Sequence, residues 1–260
     1  MPAKRTPSGP GDADKLIAHQ ARLLKAPRIA AHYHRLAEQG RDAGWSLEDY
    51  LGAVLAVESN ARAESGARQR IRYAGFPAIK TITDFDFTAQ PAIDRAQIAR
   101  LEAGGWLAEA RNIVLLGPPG TGKTHLATAL AIAAAHAGHR VAFAPATGWI
   151  TRLAEAHRTN RLEAELRKIS RYGLIVIDEV GYIPFDTEAA NLFFQLVSTR
   201  YEKSSIILTS NLPFSKAHLF ARTCVRRRRN STGLRRWLSC VVFSAKAPGR
   251  GHLPRNRKPR

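Results

Sequence analysis

Three short apolar runs stand out along the chain: 112–116 (NIVLL), 174–177 (LIVI) and 205–209 (SIILT). Each has strand length and little polar alternation, as expected for a strand buried on both faces. Between them the apolar positions recur at helical spacing, and 124–137 (THLATALAIAAAHA) reads as an alanine-rich helix ending at Gly138. The full series alternates through 112–116, 123–137, 140–144, 149–169, 174–178, 187–202 and 205–210. Such alternation predicts a three-layer α/β domain with a largely parallel sheet over 78–215. Thr147 and Thr187 are its candidate N-caps, and Trp106 and Phe143 are candidate core residues. A linker-like stretch (AIKTITDFDFTAQP) and a helix from about Ile93 to Ala103 precede the first strand.

Residues 15–75 read as a small helical domain. Leu16, Leu23, Leu24 and Ile29 begin an apolar face that Pro27 interrupts, and Tyr33 and Leu36 continue it to a stop near Gly40. Ser46 then caps a second helix, with Asp49 closing an S-x-x-D box ahead of Leu51, Val54, Leu55 and Glu58. From Ala61 the pattern turns basic through Arg62, Arg68, Arg70 and Arg72, and it breaks at Gly75 and Pro77. A run of this kind suits a solvated helix face or contact with DNA phosphates, and these four arginines are the candidate DNA contacts. Residues 1–14 carry Pro, Gly and charge without an apolar centre, which fits a disordered leader and not a signal peptide.

Composition narrows the class. A chain of 260 residues with 45% apolar content can bury one substantial core and a small accessory domain. No apolar run approaches the ~18 residues of a membrane span, so no membrane partner is expected. Two cysteines, Cys224 and Cys240, make neither a disulfide framework nor a zinc set, and a reducing cytoplasm fits. The net charge of +19 is uneven. Residues 81–202 are nearly balanced, with twelve basic and thirteen acidic groups; residues 15–80 carry eleven and six, and residues 203–260 carry fifteen and none. Basic excess at both ends favours phosphate backbones through counterion release, without sequence specificity.

The candidate chemistry sits in the balanced region. Gly117, Pro118, Pro119, Gly120, Thr121, Gly122, Lys123 and Thr124 fill the phosphate-loop pattern GxxxxGK[ST], between a strand and a helix as that chemistry requires. The glycines let successive N–H groups turn inward around a β-phosphate at a helix N-terminus. Lys123 would reach the β- and γ-phosphates, and the Thr124 hydroxyl would ligate Mg²⁺. Asp178 and Glu179 end the run 174–177, at the strand terminus where α/β sheets bind ligands. Asp178 would hold Mg²⁺ through water, and Glu179 could polarise the water that attacks the γ-phosphate. Asn211 follows the third run; its amide can bond both the γ-phosphate and that water, or serve as a turn residue before Leu212 and Pro213. His125 is assigned no role.

These motifs occur with YAGFPAIKTITDFDF (73–87), QPAIDRAQI (90–98), LLGPPGTGKTHLA (115–127), LIVIDEVGYIPFD (174–186) and FFQLVSTRYEKSSIILTSNLPFS (193–215). In that series the chain resembles the IstB-like transposition helper ATPases, a branch of the AAA+ proteins close to the DnaC-type helicase loaders, from about Leu23 to Ser215. The resemblance places the family's Walker A loop on Gly117 to Thr124, its Walker B acids on Asp178 and Glu179, and its sensor 1 on Asn211. It implies an ATP- and Mg²⁺-dependent, homo-oligomeric DNA-binding protein that helps a cognate transposase engage target DNA. A replicative helicase loader and a non-hydrolysing DNA-binding remnant are the alternatives.

After Ser215 the resemblance ends. The family's acid-containing turn, its helix with an Asp-Arg pair and its final strand are not recognisable in the acid-free tail 216–260, so no arginine finger or sensor 2 is assigned. One reading of the tail is an out-of-frame or replaced C-terminus. The other is a basic extension in which Ser215 caps a short helix through Val225 and 239–244 (SCVVFS) forms a strand.

Overall fold

The computed structural model describes residues 10–180, 187–211 and 238–242. The chain divides into two units, Met1–Arg68 and Gln69–Arg260.

The first unit holds helices α1 (Pro10–Leu23), α2 (Pro27–Ala43) and most of α3 (Leu47–Tyr73). Helix α1 starts inside the stretch read as a disordered leader. Asp14 accepts a 2.6 Å hydrogen bond from the Tyr33 hydroxyl, and that bond raises the Tyr33 pKa to about 12. Pro27 opens α2 instead of interrupting a face, because the first helical position needs no N–H. The helix stops at Gly44, which takes the left-handed φ of 67°, and not at Gly40, which lies under the Trp45 ring. At the start of α3 the expected box is present: the Asp49 N–H donates to Ser46 Oγ at 3.1 Å, and the Ser46 N–H donates to Asp49 Oδ2 at 3.2 Å. Of the face expected on α3, Val54 and Glu58 are buried while Leu51 and Leu55 stay exposed. The last turn of α3 belongs with the second unit, since Ile71 and Ala74 pack into its core.

Among the described residues, that unit is built on five parallel strands in the order β2-β3-β4-β1-β5. They are β1 (Asn112–Leu116), β2 (Val141–Pro145), β3 (Leu174–Asp178), β4 (Ser205–Ser210) and β5 (Leu238–Val242). Alternate strand residues serve opposite faces. Ile113, Leu115, Phe143, Val176 and Ile207 meet α6 (Lys123–His136) and α4 (Arg95–Glu102) in one core cluster, which also buries Trp106. Ala142, Ile175, Ile177 and Ile206 meet α7 (Ala146–Arg158), α8 (Leu162–Ser170) and α9 (Thr187–Arg200) in the other. The result is the three-layer α/β architecture expected from the alternation. Buried Arg200 fastens the second face, donating to the carbonyls of Ile169, Tyr172 and Ser205 at 3.1, 2.9 and 3.0 Å.

Four local expectations change. The helix expected over 149–169 is two helices, divided where Asn160 adopts a left-handed φ of 55°, a conformation asparagine tolerates well. Thr147 lies inside α7 with Pro145 at the N-cap position, and Thr187 is the first residue of α9. The stretch read as a linker is folded: Asp84 accepts from Thr81 N–H and Oγ1, Asp86 accepts from Thr88 N–H and Oγ1, and the two turns press Ile82, Phe85 and Phe87 onto the core. In the tail, β5 overlaps the strand-like run 239–244, beginning one residue earlier at Leu238, and extends the sheet beside β1, with Val114 opposite Cys240. The short helix expected after Ser215, Ser215 itself and Cys224 lie outside the described residues.

Candidate functional site

Strand order brings the candidate residues to one edge of the sheet. β1 lies between β4 and β5, and β4 lies between β1 and β3, so the loops after β1, β3 and β4 open side by side at their carboxyl ends. The Gly117 N–H donates to the Ser210 carbonyl at 3.2 Å, tying the start of the phosphate loop to the end of β4. Pro118 and Pro119 carry the loop to Gly120 and Gly122, at φ values of 77° and 86°. Gly122 has a second constraint. A Cβ there would lie 2.5 Å from the Phe85 ring, so the folded 78–91 stretch seats directly on the loop. Phe85 also packs edge-on to His125, whose Nε2 lies 2.9 Å from the Thr81 carbonyl.

Lys123 begins α6 and is only 6% exposed. Its Nζ donates to the Pro118 carbonyl at 2.7 Å and to Thr121 Oγ1 at 3.4 Å. Burial pulls the Lys123 ammonium below its usual range, opposed by the Asp178 and Glu179 carboxylates. Thr124 Oγ1 lies 3.0 Å from each oxygen of Asp178. From the other side the Thr209 hydroxyl donates to Asp178 Oδ1. The Glu179 N–H reaches Thr209 Oγ1 at 2.9 Å, and the Val180 N–H reaches the Thr209 carbonyl at 2.9 Å. Glu179 itself takes a left-handed φ of 59° and is exposed. Asn211 directly follows β4 and is half-buried.

Chemically, the set combines a buried cation and glycine-shaped backbone at a helix N-terminus with a hydroxyl–carboxylate pair. Oxygen donors such as Thr124 and Asp178 suit Mg²⁺, and the loop suits a polyphosphate. Sequence reasoning missed Thr209 and Phe85. Thr209 was visible as a polar residue at the end of an apolar strand, and Phe85 as part of a repeated Asp-Phe pair. It also missed Asn112, whose Oδ1 accepts the Ile206 N–H at 2.7 Å and locks β1 to β4.

Of the four candidate DNA-contacting arginines, Arg62 and Arg68 lie in the first unit and Arg70 and Arg72 in the second. Arg62 bonds Glu58 at 2.7 Å and the carbonyls of Leu24 and Lys25, and Arg68 pairs with Glu64 at 3.5 Å. In the second unit, Arg70 donates to the Ala135 carbonyl at 2.8 Å, near the end of α6, and Arg72 is exposed. No helix among the described residues is long and apolar enough to cross a membrane.

Known proteins share both the sequence and the fold. A Pseudomonas aeruginosa protein, named as an ATP-binding protein of insertion sequence IS21, is 43% identical over 192 residues, covering 74% of this chain and 72% of that one. A Bacillus thuringiensis subsp. berliner protein, named likewise for insertion sequence IS232, is 38% identical over 191 residues, covering 74% and 76%. Among solved structures, AMPPCP-bound DnaA from Aquifex aeolicus superposes with a TM-score of 0.52 at 19% identity, covering 65% of this chain and 51% of that chain. That likeness shows a shared α/β fold, over about half the length of that DnaA chain. The model of the family described as IstB-like ATP binding protein matches residues 19–222, so the chain belongs to the IstB-like ATP-binding proteins.

Proposed function

We propose that this protein is an ATP-hydrolysing helper of insertion-sequence transposition that associates with DNA, acts with a cognate transposase and works as a homo-oligomer. The observation that carries the ATP part is the convergence of Lys123, Thr124, Asp178 and Thr209 beneath one glycine-shaped loop. The insertion-sequence names of the relatives and the basic excess of residues 15–80 and 203–260 support the DNA part.

In this reading the N–H groups of Gly120 to Thr124 and the Lys123 ammonium receive the β- and γ-phosphates. Thr124 and Asp178 would hold Mg²⁺, which supplies charge neutralisation when bound. Glu179 orients a water whose oxygen bonds to the γ-phosphorus as the bond to the bridging oxygen breaks; its carboxylate takes the water's proton, and ADP leaves with the charge. Asn211 bonds the γ-phosphate and the water from the end of β4.

Binding of labelled ATP tests the site. Lys123→Ala removes the buried cation, and affinity should fall at least ~10-fold, about 1.4 kcal/mol. Equal binding by both chains rejects the site. Duplex DNA binding, measured with and without ATP, tests the second part: affinity should rise with ATP, as subunits bridged by nucleotide line up several basic surfaces.

A further inference from the structure

We propose that Thr209 is a positioning residue of this site, its one hydroxyl setting the Asp178 carboxylate and the Glu179 backbone relative to each other. The inference rests on the ATP-hydrolysis reading above. Thr209 is 1% exposed, near the end of β4, and its hydroxyl and carbonyl both bond to β3 or the loop after it. The hydroxyl donates to Asp178 and accepts from the Glu179 N–H; the carbonyl accepts from the next amide, that of Val180.

Two consecutive amides therefore end on one threonine, at a point where the chain is under strain. Glu179 sits at φ 59°, a left-handed conformation that persists in a non-glycine residue only when its surroundings enforce it. The backbone turn decides where the Glu179 side chain leaves the sheet, so the residue that holds the turn also aims the carboxylate. Asp178 is gripped twice, by Thr124 from α6 and by Thr209 from β4. Asn211 lies two residues beyond Thr209 on the same strand end, so a shift of β4 would move all three polar groups together.

Valine has the shape of threonine without the hydroxyl, and serine keeps the hydroxyl without the methyl. In the full chain, Thr209→Val should lower kcat for Mg·ATP by ~10–100-fold with KM within ~2-fold, while Thr209→Ser stays within ~3-fold of wild type on both. Hydrogen exchange gives a readout that needs no turnover: the Glu179 and Val180 amides should lose protection in the valine chain and keep it in the serine chain. If the valine chain does not fold, Thr209→Ala serves in its place. A valine chain with wild-type kcat and protection overturns the inference, and so does a serine chain as impaired as the valine one, since the methyl would then be what matters. A wild-type chain that binds no ATP overturns the hydrolysis reading instead, and the exchange arm still decides whether Thr209 holds Glu179.

Discussion

Lys123 and Arg68 are both cations carried on helices, yet Lys123 is 6% exposed and hydrogen-bonded inside its own loop, whereas the Arg68 side chain is 65% exposed beside Glu64. The contrast extends to their surroundings. In the α/β unit Asp178 and Thr209 are buried and bonded to each other, so each group's position depends on its neighbours. In the helical unit even apolar Leu47, Leu51 and Leu55 are exposed on α3, and most charges face water. A buried polar group gains strong, directed interactions at the cost of tolerating little displacement. An exposed charge acts at longer range and is screened by salt, so its placement matters less.

The largest expected effect lies in the buried set. Glu179→Gln should leave ATP binding intact and reduce phosphate release by ~10²–10⁴-fold, while Arg68→Ala should leave turnover unchanged. Comparable losses from both would erase the distinction between the units. Glycines sharpen it next. Gly122→Ala meets a left-handed φ and the Phe85 ring at 2.5 Å, and should cut ATP affinity at least ~10-fold and lower Tm. Gly44→Ala meets the same kind of φ, 67°, with open space around it, and should cost only about 1 kcal/mol in thermal unfolding, with ATP binding unaffected.

A smaller effect is expected for the exposed arginines. Arg68→Ala should weaken duplex DNA binding similarly across sequences and reduce its salt slope by about one unit. An unchanged slope would assign the electrostatic contact to other residues. The smallest effect concerns acid. Burial raises the Glu58 carboxyl, but hydrogen bonds from Arg62 and from the Arg28 and Ile29 backbones outweigh it, and the pKa lies below its ordinary value of 4.5. A lowered folded pKa gives stability that is present above the ordinary value and lost as pH falls through the folded one. Wild type and Glu58→Gln should therefore differ in Tm at about pH 6 and converge toward about pH 3.

Sequence carried much of the α/β unit because its central strands are continuous apolar runs. β1, β3 and β4 occupy the expected residues, and the phosphate loop and the acids at the end of β3 come to one sheet edge. Less was legible where side chains bond to nearby backbone. The turns built by Thr81, Asp84, Asp86 and Thr88 resemble a polar linker in composition, and only their packing reveals Phe85 against Gly122. Thr209 was hidden for a similar reason, since its role depends on the pairing of β3 with β4 and no local pattern encodes it. In the helical unit the capping box was readable because both partners lie within one turn. The helix stop was misplaced because Gly40 and Gly44 are the same residue in sequence and differ only in conformation and packing, Gly44 being left-handed and Gly40 lying against Trp45.

The pairing of β1 with β4 and β5 also bears on how the chain is made. Both partners come later in the chain than β1, so during synthesis the strand that leads into the phosphate loop has unpaired backbone on each side. Translation at about 5–20 residues per second makes that interval several seconds long. A bare apolar edge is a template for wrong pairing, so the newborn chain is most exposed to aggregation just before its last strands emerge. ATP cannot rescue it in that interval: β4, which carries Thr209 and leads into Asn211, has yet to dock, and a nucleotide can stabilise only a site that already exists.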